Sequence, residues 1–531
     1  MRRIDAEGCF AENSCMQRLK LPIGIQNLRE IREEGYYYVD KSAIAIDLVT
    51  KGKCYFLSRP RRFGKSLFLD TLKELFEGNK KLFTGLHAET RWDWSRKHPV
   101  IRISFSDGVL RDRAELDARI WNMMEANAKR LGIAPPRKGN DISWAFSEFI
   151  AKAHEATGER AVVLIDEYDK PILDNIEKPE AAIEMREGLK NLYSAIKGAD
   201  ADLRFVLLTG VSKFSKVSLF SGLNNLDDIT VDPRYSAICG YTEADVDSVF
   251  APELEGLDRD KIRSWYNGYN WLGESVYNPF DLLLLFDKRQ FRPYWYETGT
   301  PTFLLKLLRE RPTFLPELSN LQTDAALLST FDVGNIPTEA LLFQAGYLTI
   351  ASQEERFEKF FYRLRYPNRE VYQSLNNSFL LDWVPQAHDS LLAQSRLGDL
   401  LMANDLAGMG AHLKAFYDSI PHQWYANNTI AQYEGYYASV FYAFFASLGL
   451  DITVEESSNA GRLDMAMRFA GRVYLFEFKL VADKPDGSAL AQIRERGYAD
   501  RHRASGEAIH LIGVEFSRLS RTIVAWDLAG E

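Results

Sequence analysis

The stretch SRPRRFGKSLFLD, Ser58–Asp70, follows the apolar run CYFL and runs on into an amphipathic segment. Gly64-Lys65-Ser66 at a strand-to-helix junction is the context a phosphate-binding loop requires. The first helical turn leaves backbone N–H groups unpaired, and the helix dipole favours an anion there. Lys65 is placed to reach the β and γ phosphates of ATP, the Ser66 hydroxyl to ligate Mg²⁺, and Gly64 to let the backbone approach closely. The usual loop has glycine where this chain has Arg59, and Pro60 stiffens the turn by fixing φ. Arg61 and Arg62 add permanently charged planar forks beside the phosphates.

Outward from the loop, VVLIDEYD brings Asp166 and Glu167 to the end of an apolar strand. Two acids after five apolar residues need a reason, because burying unpaired carboxylates is costly. This is a Walker B pattern, in which Asp166 holds the Mg²⁺ shell and Glu167 polarises the attacking water. A third strand, LRFVLLTGVS, ends in Thr209 and Ser212, which suit either a γ-phosphate sensor or an ordinary turn. From Leu21 to about Phe250, apolar runs at Lys53–Ser58, His98–Ser106, Arg160–Asp169 and Leu203–Ser212 alternate with helical segments such as Ser66–Phe76 and Arg113–Arg130. The alternation predicts a parallel sheet in an α/β domain.

These segments, with LPIGIQNLREIREEGYYYVDKS (Leu21–Ser42), LLTGVSKFSKVSLFSGLNNL and WYNGY, resemble a prokaryotic AAA-ATPase-like family. Its members carry the same arginine-rich RPRRFGKS loop and usually end in a PD-(D/E)XK nuclease domain. The resemblance implies a P-loop ATPase core of AAA/STAND type over 21–250 and makes Arg59 a family trait. It also makes homo-oligomerisation plausible, because such ATPases often complete their site across a subunit interface.

The C-terminal part carries the second constellation. In GRLDMAMRFAGRVYLFEFKL, Asp464 lies on one strand, and Glu477 and Lys479 lie two residues apart on the next. That spacing puts Glu477 and Lys479 on one face and Phe476, Phe478 and Leu480 on the other. Asp464 and Glu477 suit Mg²⁺, and Lys479 suits charge developing on phosphorus during phosphodiester hydrolysis. The spacing resembles PD-(D/E)XK, with Leu463 in the proline position. That resemblance implies that Glu434, one helical turn before Tyr437, completes the metal shell, and that Gln492 and Tyr498 form the glutamine–tyrosine trace of such nucleases. Arg494, Arg496, Arg501 and Arg503 are candidates for phosphate-backbone contact. A helix with Tyr437, Phe441, Phe444, Phe445 and Leu448 on one face leads into this domain, which reads as helix, three strands, helix, strand.

The expected organisation is a tail over 1–20, the ATPase domain over 21–250, a lid or winged-helix-like unit over 251–305, a helical region over 306–425, and a restriction-endonuclease-like α/β domain over 426–531. A net charge of −9 argues against a protein that coats nucleic acid, though not against one phosphate-reading groove. Four scattered cysteines without a CxxC pair predict neither disulfide framework nor zinc site and suit a reducing cytoplasm. No apolar run is long enough for a membrane span, and the N-terminus lacks a signal-peptide h-region. The sequence thus predicts an ATP-binding or ATP-hydrolysing switch coupled to Mg²⁺-dependent cleavage of nucleic acid, DNA foremost, in defence or DNA processing. The rival is a nucleotide-binding signalling or scaffold protein whose nuclease-like domain binds nucleic acid or a partner without cutting.

Overall fold

The computed structural model describes residues 18–139, 141–213, 225–299, 315–328, 336–383, 387–419, 434–458 and 461–530. Strands β1 (Cys54–Ser58), β2 (Val100–Ser104), β3 (Ala161–Asp166), β4 (Leu203–Gly210) and β5 (Asp227–Asp228) form a parallel sheet in the order β2-β3-β4-β1-β5. β1 and β3 are buried along their whole length, so their sequences run apolar instead of alternating. The two-residue β5 is too short for any periodic signal, and the sequence reading misses it. Helices Lys65–Phe76, Arg113–Leu131 and Ile142–Thr157 pack on the sheet. Asp112 and Asp141 cap the latter two at their N-termini, and Gly132 and Gly158 end them. The register sets Ser58 beside Gly210 and Ile165 beside Leu208, so β1, β3 and β4 end together. A crevice beyond the carboxyl ends of parallel strands is where such sheets bind ligands.

The lid region is helical, with Arg259–Tyr266, Pro279–Lys288 and Tyr294–Gly299 around Phe250, Ile262, Tyr266, Leu282 and Phe286. The mostly helical reading of Arg309–Tyr425 holds among the described residues, and a small sheet that it did not anticipate joins the helices. β6 (Leu321–Asp324), β7 (Thr349–Arg356) and β8 (Lys359–Arg365) form an antiparallel sheet in the order β6-β8-β7. Buried Tyr362 and Leu364 alternate with exposed Arg363 and Arg365 along β8, the period-two pattern of a half-buried strand. The expected boundaries at 305/306 and 425/426 lie outside the described residues, as does most of the expected tail.

A bridging helix, Arg369–Trp383, packs along the leading helix of the C-terminal domain, Glu434–Ser447. The C-terminal sheet follows as β9 (Asp451–Ser458), β10 (Gly461–Phe469), β11 (Arg472–Val481), β12 (Ala508–Ser517) and β13 (Ile523–Gly530), in the order β13-β12-β11-β10-β9. Only β11 and β12 pair in parallel, with helix Ser488–Arg496 as their crossover. β13 adds one strand to the expected set.

The leading helix belongs to two cores. Tyr437, Val440, Phe441, Phe444 and Phe445 pack on the C-terminal sheet, as the helical spacing predicts. Tyr442, Ala443 and Ala446 join the contiguous core that contains the N-terminal sheet. A helix apolar all round is a buried helix. Among the described residues, no helix is long and apolar enough to cross a membrane.

Candidate functional site

At the ends of β1, β3 and β4 lies a cavity of about 450 Å³, lined among others by Arg61, Arg62, Gly64, Lys65, Ser66 and Glu167. That volume is within the range of small-molecule sites. Gly64 precedes the helix with φ +92, a conformation glycine adopts without strain, and no side chain caps the helix N-terminus. The open N–H groups of the first turn make an anion cradle. Lys65 is buried, and its ammonium donates to the carbonyls of Arg59 and Pro60 at 2.8 and 2.9 Å. Burial lowers its pKa, against the pull of Asp166 and Glu167.

Arg59 does not line the cavity. Its guanidinium is fully buried, donates to the carbonyls of Ser58, Thr230 and Tyr235 at 2.9, 2.8 and 3.0 Å, and stacks 3.9 Å over Trp271. The residue in the usual glycine position is therefore a strut that ties the loop to the segment after β5. Phe63 is a second anchor, edge-on to Tyr269 at 4.7 Å. Arg62 reaches the cavity with its guanidinium 4.9 Å over the Phe280 ring, and Pro279, Phe280 and Leu283 supply the apolar wall.

Asp166 is buried at the end of β3 and accepts the Thr209 hydroxyl at 2.9 Å. Thr209 is thereby a support for Asp166. Ser212 likewise donates its N–H and hydroxyl to Asp169, at 2.6 and 2.5 Å. Asp169, fully buried and read in the sequence only as a strand end, is what fixes the tip of β4. Glu167 has φ +51, strained for a residue with a side chain, and lines the cavity. Burial raises its carboxyl pKa, with Lys65 opposing. Arg234 is a surface arginine paired with Asp232 at 2.5 Å. The oxygen donors Ser66 and Asp166 are the type Mg²⁺ takes.

The C-terminal constellation also comes together. Asp464 Oδ2 accepts the Phe478 N–H at 2.8 Å, next to Glu477. The adjacent register pair is Met465 with Phe476, so Asp464 stands across from Glu477 on the same face. Lys479 donates to Glu477 Oε1 at 3.3 Å, and the Gln492 amide donates to the same oxygen. Glu477 is fully buried, and among the described residues its Oε2 has no hydrogen-bond partner. Burial pushes its pKa up to about 7, with the Asp464 charge adding and Lys479 opposing. An orphaned buried carboxylate oxygen beside a second carboxylate fits a divalent cation. Among the described residues, no group of three or more acid, histidine or cysteine side chains is gathered for a metal, so these two acids are the set the described structure offers.

Phe476 and Phe478 point the other way, against Phe441 at 5.2 and 4.9 Å. Glu434 is the first residue of the leading helix, and its side chain lies outside the described residues. Tyr498 is buried with Val473, Leu475 and Ile493. Arg494 and Arg496 are exposed, Arg503 pairs with Asp500 at 2.6 Å, and the Arg501 side chain is outside the described residues.

Glu515 escapes the sequence reading. Fully buried beside Lys479 in the register, it accepts the N–H groups of Asp486 and Ala489 at 2.8 and 3.3 Å. It thereby seats helix Ser488–Arg496, which carries Gln492. A charged residue inside the apolar strand LIGVEF is the signal that marks it.

Residues 22–220 match the family model described as Predicted AAA-ATPase, and residues 432–526 match that of the PD-(D/E)XK nuclease superfamily. The uncharacterized protein in vnfD 5'region of Azotobacter chroococcum mcd 1 is 61% identical over 512 residues, spanning 96% of this chain and 99% of its own. No solved structure matches.

Proposed function

The chain belongs to the Predicted AAA-ATPase family and carries a PD-(D/E)XK nuclease superfamily domain, and from that premise we propose that it is an ATP-dependent switch controlling metal-dependent cleavage of nucleic acid. The observation that carries the cleavage reading is the buried Glu477 with its unpartnered Oε2, facing Asp464 and held by Lys479 and Gln492. Such an acid is costly in a fold that has no use for it. Asp464 and Glu477 would hold Mg²⁺ in one site, and Ser66 and Asp166 in the other, where the ion would supply Lewis-acid polarisation of phosphate oxygens.

The protein's own groups do the rest. The first turn of Lys65–Phe76 binds the phosphates, with Lys65, Arg61 and Arg62 neutralising their charge. Glu167, with its raised pKa, takes a proton from water at the cavity wall. At the C-terminal site Gln492 fixes the Glu477 carboxylate, and Lys479 stabilises negative charge as the phosphodiester is attacked. DNA is the favoured substrate class, and defence or DNA processing the biological setting that suits this pairing of domains.

The test combines Mg²⁺ and labelled single- and double-stranded DNA and RNA, with and without ATP. Asp464→Ala is expected to reduce cleavage by about a hundredfold or more. Lys65→Ala and Glu167→Gln are expected to keep basal cleavage and lose its response to ATP. ATP binding with no cleavage of any substrate would instead establish a non-cutting scaffold.

A further inference from the structure

Asp281 and Glu370 are fully buried acids that neither site uses. Asp281 Oδ1 accepts the Trp295 backbone N–H at 2.7 Å, and Glu370 Oε1 accepts that of Tyr296 at 3.0 Å. Among the described residues, Asp281 Oδ2 and Glu370 Oε2 are buried with no donor from any other group, and the two carboxyls meet each other. Such a contact is a hydrogen bond only while one acid keeps a proton. Burial raises both pKa values, and the charge of Asp281 raises Glu370 further. Among the described residues, the titratable groups facing the pair are the phenols of Tyr266, Tyr269 and Tyr294.

The pair joins the two halves of the molecule. Asp281 sits in the first turn of helix Pro279–Lys288, where Pro279 and Phe280 wall the nucleotide cavity. The Trp295 indole N–H donates to the carbonyl of Arg61, inside the loop, at 3.0 Å. On the other side, Glu370 is the second residue of the bridging helix, and the Tyr296 hydroxyl bonds Ser378 on the same helix at 2.6 Å. That helix sets Tyr372 against Tyr442 of the leading helix, ring centroids 6.3 Å apart. The opposite face of the leading helix holds Phe441 on Phe476 and Phe478, the residues on either side of Glu477.

We propose that the Asp281–Glu370 carboxyl pair is the clasp that fastens the phosphate loop, through Trp295, to helix Arg369–Trp383, and that nucleotide occupancy reaches the Asp464–Glu477 site along this path. Asp281 and Glu370 are positioning residues for the loop. The inference rests on the nucleotide reading above and not on nuclease activity.

Hydrogen exchange of the full chain, with and without saturating ATP and Mg²⁺, tests it alongside a direct ATP-binding titration. In the wild type, ATP is expected to change protection over both Arg369–Trp383 and Glu434–Ser447. Glu370→Gln, whose amide still donates to Asp281, is expected to behave like the wild type. Glu370→Leu removes the contact and is expected to weaken ATP binding by about fivefold or more and to abolish the change over Glu434–Ser447. ATP bound by the wild type with no change in either helix overturns the clasp whatever the variants do, as does a leucine variant that transmits like the wild type. A wild type that binds no ATP overturns the nucleotide reading itself, and the clasp with it.

Discussion

Glu477 holds a carboxyl out of water with one oxygen unpaired, and its pKa of about 7 stands against an ordinary 4.5. Between those values the folded chain keeps a proton that the unfolded chain has released. Stability from this group is therefore fully present below the unfolded value and is lost as pH rises through 7. Glu477→Gln removes the charge but keeps the shape. We expect it to be more stable than the wild type by about 1–3 kcal/mol at pH 8 in EDTA, with no gain at pH 4. Urea denaturation at the two pH values reads this directly, and equal stability at pH 8 would show that the acid is not strained by burial. Adding Mg²⁺ at pH 8 is expected to stabilise the wild type and leave the variant unmoved, because a ligand that binds only the folded state shifts the equilibrium.

Gly513 shows how an element is placed for the chemistry. A Cβ there would stand 2.5 Å from the backbone nitrogen of Leu490, so helix Ser488–Arg496 lies directly on β12. That approach, together with the Glu515 cap, lets Gln492 reach Glu477. Gly513→Ala is expected to cost about 1–3 kcal/mol in thermal unfolding and to reduce cleavage in the fraction that remains folded. Unchanged cleavage would mean that the seating of this helix does not matter to the acids. Much of this element level is legible from sequence: the alternation in YLFEFKL gives the face of Glu477 and Lys479, and the apolar run before Asp166 gives β3. What escapes is set by distant partners. Arg59 reads as a trait of the loop, but the role of its guanidinium waits on the carbonyls of Thr230 and Tyr235, 171 and 176 residues away. β7 escapes because six of its eight residues are exposed and five of those are polar, leaving no apolar face to read. The side-chain signals of Asp169 and Glu515 are plain acids, and only the fold shows which N–H groups they hold.

A chain of this length with several domains ordinarily unfolds in steps, each with its own transition. Here the leading helix gives one face to the C-terminal sheet and the other, through Tyr442, Ala443 and Ala446, to the core that includes the N-terminal sheet. Unfolding the C-terminal domain therefore uncovers apolar surface on the rest of the molecule. At about 25 cal/mol per Å², even a patch of one tyrosine and two alanines is worth on the order of 2–4 kcal/mol. That linkage lets a ligand at one end stabilise the other. ATP with Mg²⁺ at about a hundred times its dissociation constant adds roughly 2.7 kcal/mol to whatever unfolds together with the nucleotide site. In differential scanning calorimetry we expect the transition that includes residues 434–530 to move upward with ATP, and to stop doing so in Lys65→Ala. Limited proteolysis across the transition identifies which fragment melts. A C-terminal fragment that melts separately, at the same temperature with and without ATP, would show that the shared helix is a hinge between independent bodies and not a common core.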